Sequence, residues 1–127
     1  MSLQRIRLEL ARDHEHPNGS SAHGYDFIAP IDTDGHLSLE EWRKARERCR
    51  VRRFAPGVPD EIGLLVHKRG GDQGGTWVFD YNSASQEDDE PGFKLDRHTF
   101  IPGGYISITE HDGVQRTFHI RAVVDVD

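Results

Sequence analysis

One cysteine, Cys49, in 127 residues sets the first limit: no intrachain disulfide can form, and such a chain fits a reducing compartment. Long apolar runs are missing too. None exceeds the five residues Ile62-Gly63-Leu64-Leu65-Val66, too short for a membrane-spanning helix, and the N-terminus lacks the apolar core of a signal peptide. A cytoplasmic location is therefore expected. Hydrophobic residues reach only 35% against 30% charged, with a mean hydropathy of -0.71, which is polar for a globular chain. Six Phe, two Trp and three Tyr nevertheless supply a core and argue against disorder. The length suits one domain over residues 1–127 and is too short for a dinucleotide-binding domain joined to a substrate domain.

Positive charge is scarce but concentrated. The net charge is -6, so the average surface repels nucleic acid and anionic lipid. Between Arg43 and Arg53, however, seven cations (Arg43, Lys44, Arg46, Arg48, Arg50, Arg52 and Arg53) meet only Glu47, a local net of +6 that leaves -12 for the rest. Arg43, Arg46 and Arg50 fall at helical spacing and form a candidate binding stripe. The Glu87-Asp88-Asp89-Glu90 run is a candidate internal partner for it.

The apolar pattern is mostly of period two. Ile6, Leu8 and Leu10 alternate with Arg5, Arg7 and Glu9, as a half-buried strand does. Residues 13–24, with Pro17, Asn18-Gly19 and Ser20-Ser21, read as a loop before a strand from Tyr25 to Ile31. Further strands are predicted at Val51–Phe54, Ile62–Lys68, Thr76–Tyr81, near Phe93–Leu95, Gly104–Glu110 and Val114–Val124, separated by Gly- and Pro-rich turns. Within Thr76–Tyr81, Trp77, Phe79 and Tyr81 share one face, and burial rather than display is expected for them. In the last hairpin, a three-residue loop His111-Asp112-Gly113 keeps the faces clean. It pairs Ile106 with Phe118 and lines the other face with Tyr105, Ser107, Thr109, Gln115, Thr117 and His119.

One helix is predicted, from about residue 39 to 48. Ser38-Leu39-Glu40-Glu41 has the form of a capping box, with Leu37 and Trp42 as its hydrophobic staple. The fold class is mainly β (α+β): a small barrel or rolled antiparallel sheet of six to eight strands with this single α-helix.

Candidate chemistry is sparse. Asp32, Asp34 and Glu41 around Gly35 resemble part of a calcium loop, but Pro30 falls at the first ligand position and a strand, not a helix, precedes it. His14 and His16 could offer two imidazoles to zinc or nickel, with His23 or Asp13 as a third ligand, although no second half-site with fixed spacing is visible. His67, His98, Asp80 and the Asp88–Glu90 carboxylates are the remaining acid–base candidates, without a placed nucleophile. Arginines beside Cys49 would lower its thiol pKa.

The stretches Gly74-Gly75-Thr76-Trp77-Val78-Phe79-Asp80-Tyr81, Asp88-Asp89-Glu90-Pro91-Gly92-Phe93 with His98, and Pro102-Gly103-Gly104-Tyr105-Ile106-Ser107-Ile108 resemble an uncharacterised family of small bacterial proteins. The resemblance extends over the Asp34-Gly35-His36-Leu37 turn and Cys49-Arg50-Val51. It implies a bacterial cytosolic origin and one compact domain, with no assigned activity, so no site residue carries over.

The resulting expectation is a binding or interaction module rather than an enzyme, without an obligatory cofactor, acting as monomer or homodimer on a protein or small molecule. Nucleic acid and membranes are not the expected partners. Its candidate binding residues are Tyr105, Ser107, Thr117 and His119 on the hairpin face and Arg43, Arg46 and Arg50 in the stripe. The alternative is a metal-binding protein or metal-dependent hydrolase that uses His14, His16 and His23 with nearby carboxylates.

Overall fold

A computed structural model describes residues 3–68, 76–81, 90–91, 99–110 and 113–126. Among the described residues eight strands form one antiparallel sheet: β1 (Leu3–Leu10), β2 (Ser20–Pro30), β3 (Arg50–Ala55), β4 (Val58–Lys68), β5 (Thr76–Asp80), β6 (Glu90–Pro91), β7 (Tyr105–Thr109) and β8 (Gln115–Asp125). Their order is β6-β5-β4-β3-β2-β1-β8-β7. The sheet curls into a half-barrel, and the end strands β6 and β7 approach to Cα separations within 8 Å.

The curl follows from the period-two pattern. Ile6, Leu8 and Leu10 of β1, Tyr25, Phe27 and Ala29 of β2, and Phe118 and Ile120 of β8 all point inward and are buried. Trp77 and Phe79 join them, as expected of that aromatic face, and Tyr81 packs against the edge of the cluster. Tyr25 lies 5.2 Å from Phe79 of β5 and 5.1 Å from Phe118 of β8, while Phe27 touches Phe79 and Phe100. Aromatic rings thus bridge strands far apart in the sheet and fill its concave side. The interior is a packed core rather than a ligand cavity, as in other small barrels.

The hairpin register is the predicted one: Tyr105 opposite His119, Ile106 opposite Phe118, Ser107 opposite Thr117 and Thr109 opposite Gln115. Gly113 takes a φ of 83°, the left-handed conformation that the three-residue loop needs and that glycine adopts without strain.

Three expectations are corrected. The helix does not run from 39 to 48: α1 spans Leu39–Lys44, Ala45 leaves helical geometry, and a 3-10 turn covers Arg46–Arg48. The Arg48 and Cys49 amides reach back three residues, to the Ala45 and Arg46 carbonyls, tightening the end so that the buried Cys49 leads directly into β3. The capping box is half made. Ser38 Oγ accepts from the Glu41 amide at 3.2 Å, but the Ser38 amide donates to the Pro30 carbonyl and the Glu41 carboxylate pairs with Lys44. The loop from residue 13 ends earlier than predicted, because β2 begins at Ser20. Residues 21–23 form a bulge between the Leu10–Ser20 and Glu9–Gly24 pairs. Gly24 admits the approach there: a Cβ would overlap the Leu8 carbonyl oxygen and meet the Phe54 ring at 3.1 Å. The predicted strand near Phe93–Leu95 lies outside the described residues.

Trp42 anchors α1 to the sheet. Its indole Nε1 donates to the Leu65 carbonyl at 2.9 Å, and its ring meets Trp77 edge-on at 5.5 Å.

Candidate functional site

With the concave side filled, surface open to a ligand lies on the outer face and at the ends of the curl. One depression there, an open groove of about 970 Å³, runs between the end of β1, the bulged start of β2 and the outer face of the β7–β8 hairpin. Two ladder irregularities frame it. One is the bulge at residues 21–23. The other lies in β8, where Arg7 pairs with Ala122 and Leu8 with Ile120, leaving Arg121 as an extra residue aimed outward.

Three of the four hairpin residues expected to bind line this groove: Tyr105, Thr117 and His119. Tyr105 is 59% exposed, and its ring lies 5.0 Å from His119 at a 36° tilt, a flat outward-facing pair. Ser107 stands beside them, its hydroxyl 3.0 Å from that of Thr117.

The groove is rich in donors. Arg121 Nη1 lies 3.4 Å from His119 Nδ1. Arg121 Nε also reaches Glu9 at 3.4 Å, and Arg7 holds the other Glu9 oxygen at 3.1 Å. The groove's carboxylate is therefore neutralised from two sides. Arg12 lines the opposite wall and forms no ion pair with a described residue, and Ser20 and Ser21 add hydroxyls. Sequence reasoning missed Glu9, Arg12, Arg121, Ser20 and Ser21; of these, Ser21 and Arg121 lie in the two bulges.

Deeper in the fold sits an unpredicted polar cluster. The Glu110 side chain is fully buried and accepts four hydrogen bonds: from His23 Nε2 and Arg116 Nη1 at 2.9 Å on one oxygen, and from Tyr25 Oη at 2.6 Å and Arg53 Nε at 2.9 Å on the other. Burial pushes this carboxyl up, but the hydrogen bonds from His23, Tyr25 and Arg53 and the charge of Arg53 outweigh it and hold the pKa down at about 2. One signal was available. Residues 110, 116, 53 and 23 all share strand parity with core positions, and a charged side chain in phase with the apolar face needs buried partners.

The basic stripe divides. Arg52 pairs with Asp26 and, at 3.1 Å, with Asp60, while Arg53 turns inward to Glu110 and reaches Glu61 at 3.3 Å. Neutralisation of these two comes from the sheet itself; residues 87–89 of the expected acidic partner lie outside the described residues. Arg43 and Arg50 form no ion pair with a described residue, and Arg46 lies over the Trp42 ring at 4.8 Å.

His14, His16 and His23 do not converge. His16 Nδ1 bonds Asp13 at 3.0 Å in the exposed loop, whereas His23 is buried against Glu110. Among the described residues no three His, Cys, Asp or Glu side chains are grouped to hold a metal ion. Asp32 of the calcium-like segment accepts from the Asp34 and His36 amides at 2.9 and 3.0 Å, closing a turn. Cys49 departs from expectation as well: burial pushes its thiol up to about 11, outweighing the opposing charge of Arg48. His67 packs edge-on to Trp77 at 4.9 Å, and His98 lies outside the described residues.

The fold and site together define a curled antiparallel half-barrel with a filled interior and a polar groove on its outer face. Set against family profiles, curated proteins and solved structures, the chain matches none of them. No helix among the described residues is long and apolar enough to cross a membrane.

Proposed function

We propose that this chain is a non-enzymatic binding module whose ligand is a small polar molecule carrying a carboxylate or phosphate, held in the Tyr105–His119 groove. The observation that carries the reading is the set of polar groups around an already neutralised carboxylate: Arg12, Arg121, the His119 imidazole and the serine hydroxyls face one open space. A planar guanidinium matches the oxygens of a carboxylate or phosphate, and the tilted Tyr105–His119 pair offers a flat surface to the rest of the molecule. No side chain in the groove is set up as a nucleophile beside a base, so recognition rather than turnover fits the residues.

Titration of the isotope-labelled protein with inorganic phosphate, citrate and adenosine monophosphate tests this. Amide shifts focused on Ser20, Ser21, Thr117, His119 and Arg121 are expected, with at least about tenfold weaker binding in Arg12→Ala. Shifts scattered over the surface, or an affinity unchanged in Arg12→Ala, would count against it.

A further inference from the structure

The outer face of β1 to β4 carries a second surface that the groove does not include. Two depressions of about 390 and 450 Å³ lie on it and share Arg50 and Ile62, and a third of about 460 Å³, between α1 and β4, adjoins the second at Leu64. The three follow one another as a trough from Arg5 on β1 to Arg43 on α1. Crossing four strands and reaching the helix spans roughly 15–20 Å, the length of about five or six extended residues.

Its chemistry is two-sided. Along the floor Ile62 is 56% exposed and Leu64 38%, with Ile28 and Val66 half-buried beside them. Along the rim Arg5, Arg43 and Arg50 are exposed and form no ion pair with a described residue. Arg5, Arg43, Arg46, Arg50 and Arg52 line the trough against two carboxylates, Glu47 and Asp26, the latter already held by Arg7 and Arg52, which leaves a surplus of three cations. The cross-strand ladder explains the alternation: Arg52 stands opposite Ile62 and Arg50 opposite Leu64, so apolar and cationic side chains neighbour one another on the same face.

We infer that this trough binds an extended acidic peptide segment, its carboxylates meeting Arg5, Arg50 and Arg43 and its alternate apolar side chains covering Ile62 and Leu64. Charge complementarity selects the partner: a surface with a surplus of three cations, on a chain whose net charge is -6, favours a local acidic ligand. Single-stranded nucleic acid shares the negative charge but needs aromatic platforms for its bases. The aromatic side chains lining the trough, Phe27 and Trp42, are buried, and Arg46 covers the Trp42 ring.

Fluorescence anisotropy with a labelled octapeptide of alternating Glu and Leu decides the matter, with a Lys–Leu peptide and a short oligothymidylate as competitors. The Glu–Leu peptide is expected to bind tightest of the three. Arg43→Ala with Arg50→Ala should weaken it at least about tenfold, and Ile62→Ser about threefold or more, with thermal unfolding of both variants close to the parent's. Added salt should weaken binding only in part, because the apolar contacts persist. Equal or tighter binding of the Lys–Leu peptide or the oligothymidylate would overturn the proposal. So would an affinity indifferent to these substitutions, or no binding of the Glu–Leu peptide at millimolar concentration.

Discussion

Glu110 is a fully buried carboxylate that accepts four hydrogen bonds. Its pKa is depressed to about 2 from an ordinary 4.5, so the folded state binds the carboxylate form preferentially. That contribution is fully present above about pH 4.5 and is lost as the pH falls toward 2; the depression corresponds to roughly 3 kcal/mol. Urea unfolding at pH 7, 4.5 and 3 should therefore show a stability loss in the parent that is largely absent in Glu110→Gln. At neutral pH that variant should be less stable by about 3 kcal/mol or more, because Arg53 and Arg116 lose their buried countercharge. Cys49 gives a second residue-scale expectation. Its thiol is buried with a pKa of about 11, so Ellman's reagent at pH 8 should leave the folded protein unmodified and react fully only after denaturant is added. Neither property could be read from neighbours in sequence. The arginines beside Cys49 suggested an activated thiol, but desolvation dominates once Cys49 is placed under the sheet. Glu110 acquires partners from β2, β3 and β8, which local spacing cannot announce.

At the scale of elements, the helix start separates two contributions that the sequence motif combines. Ser38 makes its cap, whereas Glu41 does not return the bond, since the Ser38 amide is already taken by Pro30. Ser38→Ala should cost about 1 kcal/mol in chemical unfolding, and Glu41→Ala only a few tenths; equal losses would mean that the box closes in solution. The β7–β8 hairpin was legible down to its register, because one loop length keeps apolar opposite apolar and supplies a glycine where φ is positive. The bulges at residues 21–23 and at Arg121 were not legible. A bulge slips the alternation by one residue, so that Ile120 and Val123 both stand opposite inward-facing residues of β1, and the place of the slip is set by pairing across strands. That is why Tyr105, Thr117 and His119 could be nominated from the sequence while Arg121, in the bulge, could not; Arg12 follows the end of β1 and carries no strand pattern of its own.

For the molecule as a whole, the decisive circumstance is the filling of the curl. Phe27, Phe79, Tyr25 and Phe118 occupy the concave side, so a ligand meets outward-facing residues that the core does not require. The Tyr105–His119 pair is then a surface feature whose removal loses a cross-strand contact of roughly 0.2–1 kcal/mol and little else. Thermal unfolding of the double variant Tyr105→Ala/His119→Ala measures this directly. A midpoint within about 5 °C of the parent protein's is expected for a loss of that size in a chain of this length. A fall of more than about 10 °C would contradict it, because the pair would then be holding the sheet together instead of standing ready for a ligand.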